Sequence, residues 1–190
     1  MSLHDDLNNK NLFDENKPGE YQYSEGQYGK TAQGQLVLQK GERDLYAQRQ
    51  AGGNDRLVND DGGHLIGTRF NGSGKLENID AQNSNLNRGS YKAYENQLAK
   101  QVENGDKVFL HVDTFKSNDS ERPDAYMGYA VSESQDGSRS WDAFSYTNAS
   151  SNEMQEWNDL MTETDYESDD DNNAMDYPDD YDSGDYDEME

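Results

Sequence analysis

The chain has 190 residues, of which only 31% are apolar, and a formal net charge of −24; its mean hydropathy is −1.28. That apolar content cannot fold the whole length into a packed core, so one domain with loose ends is expected. The absence of cysteine excludes disulfides, thiolate metal sites and a cysteine nucleophile, and no run approaches the ~18 apolar residues of a membrane span.

Residues 1–19 are polar and expected to be mobile, and MSLHDDLNNKNLF lacks the basic-then-apolar plan of a secretory signal. From Glu20 the pattern changes. YQYSEGQYGKTAQGQLVLQKG alternates polar with aromatic or aliphatic residues between glycines, which predicts a hairpin or short meander with QLVLQ (35–39) as its clearest strand. RDLYAQRQ (43–50) is read as another strand, stopped by Ala51-Gly52-Gly53. LVNDDGGHLIGTRF then gives a turn and a short buried strand, His64-Leu65-Ile66.

The Asn-rich NGSGKLENIDAQNSNLNRG (71–89) is read as a loop. After it Tyr91, Tyr94, Leu98 and Val102 fall on one helical face, and Gly105 supplies a stop. KVFLHVDTF alternates as a strand with Val108, Leu110 and Val112 on one side, and DAYMGYAVSE and SWDAFSYTN add two more. Strands, a loop with one helix, then strands again describe an α+β domain with an antiparallel sheet, spanning 20–160.

The charge is concentrated at one end. Residues 30–150 hold 14 basic and 17 acidic side chains, whereas 151–190 hold 17 acidic ones and no Lys or Arg. Residues 161–190 are therefore expected to form a disordered acidic tail. Its purpose stays open between a solubilising segment, a nucleic-acid mimic that occupies a basic groove, and partner docking or divalent-ion collection.

His64 beside Leu65-Ile66, taken alone, reads as a hydrogen-bonded core histidine. His4 and His111 carry no chemical context. The downstream segment NIDAQNSNLNRGSYKAYE (78–95) alters that reading. It resembles the DNA/RNA non-specific endonucleases, the ββα-metal or His-Me finger nucleases. In that family an Asp-Arg-Gly-His motif supplies the general base, and an N-x-x-x-Q-x-x-x-x-N segment the metal-binding asparagine, with a glutamate eight positions on. Asn78, Gln82, Asn87 and Glu95 match that spacing. RDLYAQ (43–48), DDGGHLI (60–66), FNGSG (70–74) and LNRGSYK (86–92) are similar to the subgroup found as C-terminal domains of LXG-type polymorphic toxins, exported by type VII secretion in Gram-positive bacteria. The likeness covers about residues 20–150. One departure stands out: Gly62 occupies the place of the motif's arginine.

The resemblance implies a central antiparallel sheet and one catalytic helix. It makes His64 the general base, efficient because much of an ordinary imidazole is unprotonated at neutral pH. It makes Asn87 the ligand of a hydrated Mg²⁺, for which Mn²⁺ can substitute, and Glu95 an anchor for a metal-bound water; the bland alternative for Glu95 is a solvated helix residue. Asn78 and Gln82 are expected to order the loop and contact substrate or water. Arg43 is the first choice for gripping phosphate, with Arg49, Arg69, Arg88 and Lys92 as alternatives. DNA is the implied substrate and RNA the second candidate, bound through the backbone without sequence preference. The implied biology is a toxin secreted into a target cell and held inactive in the producer's cytoplasm by a cognate immunity protein. A second reading from another class is a nucleic-acid-mimicking inhibitor or binding protein on a degenerate nuclease scaffold, acting through the acidic tail.

Overall fold

The structure, a computed structural model, describes residues 3–117 and 119–149. The acidic tail lies outside the described residues. Five strands, β1 (Gln22–Gly26), β2 (Gly29–Gln35), β5 (Lys107–Phe115), β6 (Ala125–Glu133) and β7 (Arg139–Thr147), pair antiparallel in the order β1-β2-β5-β6-β7. A separate two-stranded ribbon joins β3 (Asp60–His64) to β4 (Ile79–Asn83). The helix α5 (Lys92–Glu103) packs on one face of the large sheet.

Strand alternation explains the two faces. Val108, Leu110 and Val112 of β5 join Ala130 and Tyr126 of β6 and Tyr94 and Leu98 of α5 in the main core. The same alternation sends Phe109 and Val131 to the opposite face. There the N-terminal segment departs from the expected mobility. It forms two short helices, α1 (Leu3–Asn8) and α2 (Leu12–Glu15), and Leu12 and Phe13 bury against Phe109 and Val131. The Arg139 guanidinium donates to the Asn9 carbonyl at 2.6 Å and lies, with Lys107, over the Phe13 ring. Burying each of these two apolar side chains contributes about 2 kcal/mol. A polar composition concealed two anchors.

Four local readings also change. QLVLQ is not the strand: β2 ends at Gln35, because the two-residue turn that closes Gly26 on Gly29 sets the hairpin's register. RDLYAQRQ supplies a helix, α3 (Leu45–Gln50), because Asp44 Oδ1 accepts from the amides of Tyr46 and Ala47 at 2.8 and 3.0 Å and caps its first turn. Residues 71–89 are not all loop. They contain β4, which sequence patterning missed because its polar residues Asp80 and Gln82 are buried. Finally, β3 stops at His64 rather than running through Leu65-Ile66, although both of these are buried.

Candidate active site

The β3–β4 ribbon carries His64 at its end. The backbone beyond it is held by Asn78, whose side chain accepts from Ile66 N and donates to Ile66 O, both at 2.9 Å, and donates to Ser73 O at 2.8 Å. Asn78 thus completes the ladder where β4 begins. Tyr91 adds a second tie, its hydroxyl donating to Leu65 O at 2.6 Å. Between the ribbon and α5 the chain runs through a short turn, α4 (Ser84–Leu86), and a wide helical turn over Asn87–Tyr91. Gly89 breaks that turn with φ −101° and ψ −106°.

The result is a cleft of about 770 Å³ lined by His64, Asn87 and Glu95 together with Asp61 and a ring of cations: Arg43, Arg49, Arg56, Arg69, Arg88 and Lys92. Residues 23 and 31 positions from His64 meet it there because the Tyr91 tie draws the wide turn and the start of α5 against the ribbon.

Electrostatics differentiate the groups. The His64 imidazole is pushed down to about 4, first by burial and then by the positive charge of Arg43. Its Nε2 is buried with no hydrogen-bond partner among the described residues. His64 is therefore neutral at pH 7, with one ring nitrogen unprotonated. Burial raises Glu95 to about 7, opposed by Arg69, by a hydrogen bond from the Gly67 backbone, and by Lys92 and Arg43. A Cβ at Gly67 would lie 2.2 Å from Glu95 Oε1, so only glycine leaves room for that contact.

The half-buried Asn87 donates its Nδ2 to Asp61 Oδ2 at 2.9 Å, which leaves Oδ1 without a protein partner among the described residues. No group of three or more His, Asp or Glu side chains among the described residues is arranged to enclose a metal ion. The free Oδ1 of Asn87 is an atom that could hold a hydrated divalent cation.

The expected site residues do not all reach the cleft. His64, Glu95, Asn87, Arg43, Arg69 and Arg88 line it. Asn78 and Gln82 are fully buried and cannot touch substrate. Asn78 is a backbone brace, and Gln82 sits against Gly63, where a Cβ would lie 2.2 Å from Gln82 Oε1. Their polarity suggested contact with water or substrate, but β4 turns both inward. Of the cations, Arg56 is engaged with the Gln48 and Asp60 carbonyls, Arg69 with Asn96 and Arg88 with Asp61. Arg43 is exposed and unpaired among the described residues.

Asp61 is the residue that sequence reasoning overlooked. Its neighbour Asp60 is structural, buried and held by Arg122 at 2.8 and 3.1 Å. Nothing within the doublet tells the two apart, because the distinction comes from which arginine arrives at each. Arg88, then burial in the opposing sense, then Asn87 act on Asp61, and the balance holds its carboxyl below the usual range. His111 is a structural histidine: it bonds Gln33 and Asp113 at 2.9 Å each and stacks on Tyr129.

Comparison with known proteins identifies the family of the chain. The family model described as DNA/RNA non-specific endonuclease matches residues 10–132. Type VII secretion system protein EssD of Staphylococcus aureus, in strains USA300 and NCTC 8325 / PS 47, is 37% identical over 94 residues, 46% of this chain and 15% of each relative. The match therefore spans a small part of those relatives' length. A solved structure of an extracellular nuclease superposes with a TM-score of 0.50 at 15% identity, covering 74% of this chain and 92% of that one. That likeness concerns the fold alone.

Proposed function

Because the chain belongs to the DNA/RNA non-specific endonuclease family, we propose that it hydrolyses phosphodiester bonds of DNA, and of RNA as a second substrate, without sequence preference and with Mg²⁺ as its cofactor. The observation that carries this reading is the meeting of His64, Asn87 and Glu95 in one cleft rimmed by cations.

The residues divide the work. Neutral His64 accepts the proton of the attacking water at its unprotonated ring nitrogen, and its low affinity for protons keeps it in the accepting form at physiological pH. Arg43 and its cationic neighbours hold the phosphate, and their contacts with the sugar–phosphate backbone carry no base information. Asn87 would hold the divalent ion through Oδ1, and Glu95 would steady its water shell. Bound there, Mg²⁺ or Mn²⁺ supplies charge to offset that building on the phosphate and the departing oxygen.

The 37% identity over 94 residues to EssD, named as a type VII secretion system protein, supports a domain exported by a Gram-positive bacterium and delivered to target cells. A toxin that degrades nucleic acid endangers its producer, so a cognate immunity protein covering the cleft is part of this proposal. The second reading, a degenerate scaffold acting as a nucleic-acid mimic, is disfavoured by the retained His64, Asn87 and Glu95. No helix among the described residues is long and apolar enough to cross a membrane.

The experiment is nicking of supercoiled plasmid in Mg²⁺ by the full chain, beside His64→Ala and Asn87→Ala. Loss of at least a hundredfold in both variants is expected, in line with removal of a general base and of a metal ligand. Equal rates in all three proteins would remove the mechanism.

A further inference from the structure

Asp61 is the hub of a three-residue contact that stability does not explain. Its Oδ2 accepts from Asn87 Nδ2 at 2.9 Å and from Arg88 Nε at 2.8 Å, and its Oδ1 accepts from Arg88 Nη2 at 2.7 Å. The Arg88 side chain is 73% exposed and that of Asp61 24%. Exposed ion pairs contribute little to folding, yet this one has the fork geometry in which two parallel N–H groups fix the plane of a carboxylate.

The consequence falls on Asn87. A primary amide has two nearly isosteric faces, and rotation about its last torsion is broad and roughly two-fold. Only the oxygen face can bind a cation; the NH₂ face carries two donors and repels it. An ionised carboxylate accepts and never donates, so Asp61 selects the rotamer in which Nδ2 turns toward it and Oδ1 turns away. The brace on Asp61 cannot come from the next residue. A Cβ at Gly62 would lie 2.3 Å from Gln48 O and 2.5 Å from Gln48 Cα, because the backbone of α3 presses on that strand. Arg88, one residue past Asn87, supplies the brace from the opposite side.

We infer that Asp61 and Arg88 are positioning residues that fix the amide orientation of Asn87, with Arg88 acting through Asp61 and not as a grip on substrate phosphate. This rests on the assignment of Asn87 as the metal ligand, and it reassigns Arg88 from substrate binding to support of the metal site.

The test uses the full chain and Mn²⁺ alone, with free ion counted by its electron paramagnetic resonance signal, alongside DNA cleavage resolved into kcat and KM. Asp61→Ala is expected to weaken Mn²⁺ binding on the order of tenfold, as loss of a hydrogen-bond partner behind a metal ligand does. Arg88→Ala should weaken it in the same direction, and Arg88→Lys, which keeps the charge but not the fork, should resemble Arg88→Ala. The double variant should bind no more weakly than Asp61→Ala, since Arg88 has no route to Asn87 once Asp61 is gone. At saturating Mn²⁺ the KM for DNA of Arg88→Ala should equal that of the parent protein. Thermal melts confirm that each variant is folded. The inference is overturned if Arg88→Ala raises KM with its Mn²⁺ affinity intact, or if the two single losses multiply in the double variant. Equal Mn²⁺ binding by the parent and Asn87→Ala would remove the metal assignment itself and the inference with it. Weakened binding in Asn87→Ala but not in Asp61→Ala would overturn the inference alone.

Discussion

The depressed His64 gives a prediction that can be read without substrate. The imidazole lies at about 4 in place of 6.5, driven first by burial and then by the charge of Arg43. A gap of that size corresponds to about 3 kcal/mol of preference for the neutral form, at 1.36 kcal/mol per unit. At pH 5 an ordinary imidazole is roughly 3% neutral, whereas His64 would be roughly 90% neutral. The assay is a proton NMR titration of the three imidazoles in metal-free protein, with the His64 resonance assigned by its loss in His64→Gln. The His64 midpoint should fall near 4, and Arg43→Gln should move it upward, because a lowering charge is removed. The sign for stability follows from the same gap. The folded state binds the proton less readily than the unfolded chain, so His64 costs nothing above pH 6.5 and destabilises the fold as pH falls from 6.5 through 4. A His64 midpoint at or above 6.5 would refute the claim that burial keeps this base neutral.

Three further outcomes test the frame around the site. Asn78→Ala removes three hydrogen bonds from a fully buried side chain and should cost about 3 kcal/mol in urea denaturation, since it also strands the Ile66 backbone groups. Phe13→Ala should cost about 3 kcal/mol by the same measurement while leaving the cleavage rate at 25 °C unchanged, because α2 lies on the face of the sheet opposite α5. Gly62→Ala puts a methyl group 2.3 Å from Gln48 O; the resulting shift of α3 should lower the melting temperature by several degrees, about 1–3 kcal/mol, and reduce cleavage through displacement of the wall that carries Arg49.

Much of the fold was legible from periodicity. The alternation of KVFLHVDTF gave the central strand because Val108, Leu110 and Val112 share one face of a pleat, and the spacing of Tyr91, Tyr94 and Leu98 gave the helix because those residues cover that same face. Reading failed wherever polar residues perform apolar duties. Asp80 and Gln82 are buried in β4, so a strand passed for a loop. Asp44 turned an alternating run into a helix by capping it, and two apolar residues in a polar stretch, Leu12 and Phe13, became anchors once a sheet face lay opposite them.

The sequence by itself determined the chemical inventory: an imidazole, a carboxamide and a carboxylate at fixed spacing, no thiols, and a net negative charge concentrated at one end. Such facts are local, because residue type and interval do not depend on how the chain closes. Only the tertiary structure decided which of those groups face the cleft. Asn78 and Gln82 carry the same chemistry as Asn87, yet burial in the ribbon removes them from substrate. Asp60 and Asp61 are adjacent and chemically identical, yet Arg122 holds one in the interior while Arg88 and Asn87 draw the other to the site. The partner that arrives from far along the chain assigns each role, and proximity across 27 or 62 positions is a property of packing that no local pattern encodes.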